Sequence, residues 1–216
     1  PPPPSGPPID HGPRTTAAVA LTFDDGPSPY TARVLALLEA AGARATFFPQ
    51  ADRIRGREGL VRRASAAGME IGNHTFTHAD LGNGGPVATA ERRRATATLR
   101  AVTGVTPCAE GVGAERVHLV GNTMIDTLVH ELPRARALGL TTVNGDVDPS
   151  DWEGPGTRAI VTRVLARTRP GSIVILHDGG GDRSQTVAAL PAILQAFRAR
   201  GYTMTTVSGL LGRAAP

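Results

Sequence analysis

The chain has 216 residues, 40% of them hydrophobic, and a net charge of +4, which suits one α/β domain with a proper core and excludes fibrous and disordered classes. Its basic residues are all arginines, scattered along a chain with only 4% aromatics; this excludes a nucleic-acid module and leaves loose attraction to anionic polymers. No stretch approaches the roughly eighteen apolar residues of a membrane span, and a single cysteine, Cys108, excludes an internal disulfide.

The opening run, Pro1-Pro2-Pro3-Pro4-Ser5-Gly6-Pro7-Pro8, forms neither helix nor ladder hydrogen bonds, so residues 1–13 are expected to be a semi-rigid linker before a catalytic domain over 14–216. Such a tether commonly follows an export signal or anchor, and no charged and apolar leader opens the chain. The expectation is a processed protein, secreted or attached to the cell envelope, and monomeric. Apolar runs then alternate with helical patterns. Strands are expected at 18–23, 45–48, 69–73, 117–120, 140–144, 173–176 and 204–207. Helices are expected at 30–41, 60–67, 86–102, 124–138, 157–168 and 187–200. Gly42, Gly68, Gly104, Gly139 and Gly201 stand where C-caps would. This alternation is the mark of repeated βα units around a parallel sheet, and it suits an α/β barrel.

The polar residues of interest fall at predicted strand ends: Asp24 and Asp25 after the first, His74 after the third, Asp146 to Trp152 after the fifth and His177 after the sixth. Parallel barrels build their sites at these C-terminal ends. His74 and His78, four residues apart, reach a common point from one turn of chain. A carboxylate from the Asp24-Asp25 pair then completes a three-ligand site with open positions, and leaves a second carboxylate spare. Two nitrogens and one oxygen favour Zn²⁺, with another divalent cation such as Co²⁺ as the alternative.

Four segments in order, Thr22-Phe23-Asp24-Asp25-Gly26-Pro27, His74-Thr75-Phe76-Thr77-His78, Asp148-Pro149-Ser150-Asp151-Trp152 and Ile175-Leu176-His177-Asp178, resemble the motifs of the polysaccharide deacetylases (NodB homology domain). The resemblance covers about 17–107 and 138–210. It implies a distorted seven-stranded parallel (β/α) barrel and a metal-dependent hydrolase. Its substrate would be an N-acetylglucosamine-containing polysaccharide, peptidoglycan or chitin, from which it releases acetate; an esterase acting on acetylated xylan is the alternative. It further implies Asp25, His74 and His78 as metal ligands and Asp24 as general base, taking a proton from water that the cation has made acidic. His177 would be the general acid, with Asp178 holding its tautomer. Ile175 and Trp152 would form the apolar pocket for the acetyl methyl group.

The chain also departs from that pattern. After Thr106-Pro107, where an Arg-Pro-Pro-Tyr-like segment is expected, residues 108–137 read differently. Glu115 to Asp126 are similar to a segment of UDP-N-acetylglucosamine 2-epimerases. That stretch supplies a strand, an Asn122 or Thr123 cap and an amphipathic helix, enough to replace one βα unit. Epimerase chemistry does not follow, since that family needs two nucleotide-binding domains. The missing tyrosine would lend its backbone N–H to the oxyanion hole. The missing arginine would pair with Asp24 and Asp151, so Asp151 is expected to lack its partner unless Arg116, Arg134 or Arg136 substitutes. Gly145 stands where relatives commonly carry tryptophan. These losses keep a second reading open, a catalytically impaired or non-catalytic carbohydrate-binding descendant or a chimera.

Overall fold

In the computed structural model, which describes residues 9–79, 85–104 and 143–212, the sheet is organised around β1, Ala18–Asp24, buried at every residue after Ala18. A strand covered on both faces needs apolar side chains on both, and its alternating sets enter different cores. Val19, Leu21 and Phe23 pack in the main cluster, whereas Ala20 joins a smaller one with Val143, Ile173, Val207 and Leu210. β2, Thr46–Phe48, runs parallel to the C-terminal half of β1, and β3, Glu70–Ile71, lies beyond it. On the other side β4, Ile173–His177, pairs from Ala20↔Ile173 to Asp24↔His177, while β5, Thr203–Thr205, pairs with the N-terminal half of β1. All these pairings are parallel, and the register sets Asp24 beside His177.

Helices cover the outer face. In α1, Thr31–Ala40, the buried Val34, Leu35 and Leu38 fall on one side at helical spacing. α2, Glu58–Ala66, and α3, Gly85–Thr103, contribute Val61, Ala95 and Leu99 to a separate cluster with Ala51 and Ile54. α4, Thr157–Arg167, buries Ile160 and Val164; α5, Ser184–Ala199, buries Leu190, Ile193, Leu194 and Phe197. A short α6, Val207–Leu210, closes the chain's described part.

Strands and helices expected before residue 104 and after residue 157 form within a few residues of their predicted places. The fold is α/β with a parallel sheet of five strands among the described residues. The strand expected at 117–120, the helix at 124–138, the 108–137 segment with Arg116, Asn122, Thr123, Arg134 and Arg136, and most of the strand at 140–144 lie outside them. Two expectations are corrected. The linker was to run to residue 13, but Ile9 bridges Val143, His11 bridges Ser172 and the Gly12 N–H donates to Gly171 O at 2.8 Å. Packing onto the domain therefore starts by residue 9. The last strand was to reach residue 207, but Thr206 Oγ1 accepts the Gly209 N–H at 3.0 Å and starts α6 instead.

A buried carboxylate ties the lower strands to that final helix. Glu70 Oε2 accepts from Thr46 Oγ1 at 2.9 Å and from the Ser208 N–H at 3.0 Å, and Glu70 Oε1 accepts from Ser208 Oγ. Truncation would strand these donors in the core. Glu70→Ala is expected to cost about 2 kcal/mol or more and to lower Tm by roughly 4–8 °C. A melting curve superimposable on the parent's would show that the network carries no net stability.

Candidate active site

At the C-terminal ends of β1 and β3 the chain is bent into conformations that side chains seldom adopt. Asp25, Thr75 and His78 have φ of 66°, 63° and 61°, and such strain persists only where surrounding bonds impose it. Here they do. Asn73 Oδ1 accepts the Thr75 N–H at 2.8 Å, and Thr75 Oγ1 accepts the His78 N–H at 3.0 Å. Glu91 of α3 takes the N–H groups of Phe76 and Thr77 on one oxygen, at 3.2 and 2.7 Å. Arg94, one turn further on, lies over the Phe76 ring at 3.7 Å. The His74-to-His78 turn is thus moulded onto α3.

That moulding brings His74, His78 and Asp25 together. Asp25 Oδ1 lies 3.2 Å from His74 Nε2 and 3.6 Å from His78 Nε2, and one ligand atom from each residue lies within 4.8 Å of the others. Ligands about 2.0–2.1 Å from a tetrahedral ion stand roughly 3.3 Å apart, a separation that the two Asp25 contacts approach. The charge pattern agrees. Asp25 Oδ1 is buried with no hydrogen-bond partner among the described residues, an acceptor facing imidazole nitrogens. Burial opposes its ionisation, but the contact with His74 and the charges of His74, His78 and His177 outweigh it and hold the carboxyl well below the usual range. Burial, with His74 beside it, lowers His78 and keeps it in the neutral form that ligation needs.

Asp24 is 1% exposed, and neither carboxylate oxygen accepts a hydrogen bond among the described residues. Burial pushes its pKa up to about 6, against the pull of His74 and His177 and with the push of Asp25 and Asp151. Its partner in register, His177, is held firmly. Asp151 Oδ1 contacts His177 Nδ1 at 2.8 Å, while Asp151 Oδ2 accepts the His177 N–H at 3.0 Å and Thr186 Oγ1 at 2.7 Å. Burial would lower the imidazole, yet the bond from Asp151 and the charges of Asp24, Asp151 and Asp25 raise it to about 9.

Asp151, whose candidate arginine partners Arg116, Arg134 and Arg136 lie outside the described residues, is engaged by His177 and Thr186. One sequence expectation changes. Asp178 does not hold the His177 tautomer. Its Oδ2 accepts from Thr31 Oγ1 and its carbonyl from Ser28 Oγ, so it braces the β1–α1 turn, and burial raises its pKa to about 7. Trp152 is 48% exposed, and Ile175 is buried. At Gly145, φ is +78° and an added Cβ would meet Ile175 Cγ1 at 2.8 Å; a larger residue fits only if Ile175 moves. Asn73, Glu91, Thr186 and Arg183 were missed, since nothing in their spacing marks them as partners of residues far away in sequence.

The polysaccharide deacetylase profile matches residues 11–109. The chain is 35% identical over 212 residues to a chitooligosaccharide deacetylase of Rhizobium leguminosarum bv. trifolii, covering 93% of this chain and 94% of the relative. It is 38% identical over 202 residues to a peptidoglycan-N-acetylglucosamine deacetylase of Bacillus cereus, covering 92% and 90%. Among solved structures, it matches a peptidoglycan N-acetylglucosamine deacetylase in complex with 4-naphthalen-1-yl-N-oxidanyl-benzamide, with a TM-score of 0.83, 27% identity and coverage of 96% and 94%. Likeness of this extent over almost the whole of both chains, around the Asp25, His74 and His78 cluster, makes the conclusion direct: the chain belongs to the polysaccharide deacetylase family.

Proposed function

We propose that this protein hydrolyses the N-acetyl amide of N-acetylglucosamine residues in chitin-type or peptidoglycan glycans, releasing acetate. The observation that carries the reading is the convergence of Asp25, His74 and His78 on one point, next to a buried, unpartnered Asp24 and an imidazole held protonated by Asp151. Asp25, His74 and His78 would hold a divalent cation, Zn²⁺ on their donor set or Co²⁺ in its place. Bound there, the ion would polarise the acetyl carbonyl and acidify water. Asp24 accepts a proton from the attacking water as its oxygen bonds to the acyl carbon. His177, engaged at Nδ1 by Asp151, gives the proton on Nε2 to the departing nitrogen as the C–N bond breaks. Buried Ile175 supplies apolar surface for the methyl group, and Trp152 offers the sugar an exposed face.

The finer architecture belongs to the same proposal. We read the parallel sheet as part of a seven-stranded barrel, and the sequence of 108–137, outside the described residues, as epimerase-like in place of the usual third motif. The departure of the sequence from the third motif after Pro107 supports that boundary. The proline-rich start, read as a tether, supports a secreted or envelope-associated protein working on polymer outside the cell, and we read it as a monomer. No helix among the described residues is long and apolar enough to cross a membrane.

Acetate release from chitooligosaccharides, peptidoglycan fragments and acetylated xylan, assayed side by side, tests the substrate. Faster release from the first two supports amide hydrolysis; release from xylan alone would replace the proposal with an esterase. The second reading, a non-catalytic descendant, is favoured by the missing Arg-Pro-Pro-Tyr-like motif after Pro107, and no release from any of the three would select it. Metal content tests the ligands separately. His74→Ala and His78→Ala are each expected to drop from one equivalent of zinc to well below half after dialysis. Full retention in either would remove that residue from the ligand set.

A further inference from the structure

The loop after β4 approaches Asp25 too closely for any side chain. Asp178 and Gly179 both donate their N–H groups to Asp24 O, at 3.0 and 3.2 Å. A Cβ at Gly179 would lie 1.9 Å from the Asp25 carbonyl oxygen. A Cβ at Gly180, where φ is +77°, would lie 2.4 Å from Asp25 Oδ2 and 3.3 Å from Asp25 Cβ. One carboxylate oxygen of Asp25 therefore faces the imidazoles and the other faces the bare Cα of Gly180. The loop is anchored from behind by Arg183. This buried guanidinium donates from Nε to Gly179 O at 2.6 Å and from Nη1 to Trp152 O at 3.2 Å, and so ties the Gly179 turn to the turn that carries Asp151.

We infer that Gly180, held in place through Gly179 by Arg183, is a positioning residue for Asp25. Its packing on Oδ2 fixes the carboxylate rotation and offers Oδ1 alone to an ion shared with His74 and His78. Asp25 would then offer a bound ion one oxygen, leaving positions for water and substrate. The inference rests on the metal-site reading above. A Cβ at Gly180 would have to push aside the tip of Asp25, whose preceding carbonyl, Asp24 O, is held by the N–H groups of Asp178 and Gly179.

The test is the affinity of the purified full chain for Zn²⁺, and the visible spectrum of its Co²⁺ form, in the parent and in Gly180→Ala. Gly56→Ala is the control. Gly56 has φ of +78° with nothing within 4 Å of an added Cβ, so alanine there meets the same backbone strain without touching a ligand. Both variants are expected to lower the Tm of metal-free protein by a similar few degrees. Only Gly180→Ala is expected to weaken Zn²⁺ binding, by about 10- to 100-fold, and to change the Co²⁺ spectrum. An affinity within threefold of the parent and an unaltered spectrum would overturn the inference, as would an equal loss in Gly56→Ala. Should Gly180→Ala not fold, Arg183→Lys gives the answer. Lysine has no donor at the Nε position and cannot hold both carbonyls, so binding is expected to weaken at least threefold at unchanged stoichiometry; parental affinity would overturn the inference. A parent that binds no zinc sinks the metal-site reading itself, whereas a parent that binds and a Gly180→Ala that equals it sinks this inference alone.

Discussion

Asp24→Asn is expected to lower kcat/KM for acetate release by about 10²- to 10⁴-fold, while zinc stoichiometry stays at the parental value. Asparagine keeps the shape of the side chain but cannot accept the proton of the attacking water. The residue also has a measurable effect on folding. Burial raises the Asp24 carboxyl from 3.8 to about 6. A raised group stabilises the fold fully below its unfolded value and loses that contribution as pH rises through the folded one. At pH 7 the metal-free protein therefore carries a buried, unpartnered charge at a cost. Asp24→Asn removes it, and the metal-free variant is expected to melt about 3 °C or more above the parent at pH 7, with the gap closing below pH 4. A variant that is inactive and less stable at pH 7 would show that Asp24 is paired in solution.

Asp151→Asn is the second large effect. The carboxylate accepts from His177 at two points and from Thr186 at a third, and it is the main reason that a buried imidazole stays protonated up to about pH 9 despite burial. The neutral amide removes that charge and disturbs the tautomer. Activity is expected to fall about 10²-fold or more, and the alkaline limb of kcat/KM to move to lower pH. In the parent the acid limb follows Asp24, near 6 without metal, and the alkaline limb follows His177, near 9. A cation at Asp25, His74 and His78 favours the carboxylate and disfavours the imidazolium, so it shifts both limbs toward acid. The stability contribution of His177 has the same sign as that of any raised group. It is complete below about 6.5 and is lost as pH rises through about 9. Asp151→Asn is thus expected to be most destabilised relative to the parent below neutrality. An alkaline limb that does not move would show that His177 is not the acid.

The sheet was legible where burial on two faces forces an unbroken apolar run, as in Val19 to Phe23 and Ile173 to Leu176. β3 was harder, since its first residue is the buried Glu70, a polar group accepted only because Thr46 and Ser208 surround it. The last described helix departs from its sequence pattern for a similar reason. Val207 continues an apolar run, but the Thr206 hydroxyl favours a helix start over another strand residue. In the site, residues that act through their own side chains were visible by type and spacing, His74 and His78 above all. What holds them was not. Glu91 reaches the turn from α3, and Asp151 rather than the adjacent Asp178 grips His177, because successive residues after a strand turn away from each other while distant loops meet above the same strand end. The close approach of Gly180 to Asp25 leaves no trace in composition at all.

The most direct test of the account couples metal content to turnover. The chain is purified, stripped with chelator and titrated with Zn²⁺, with bound metal and acetate release from N-acetylglucosamine oligomers followed together. The account predicts that activity is absent in the stripped protein and rises in proportion to the first equivalent of zinc. Acetate release that persists without metal, or one tightly bound equivalent that restores none, would contradict it.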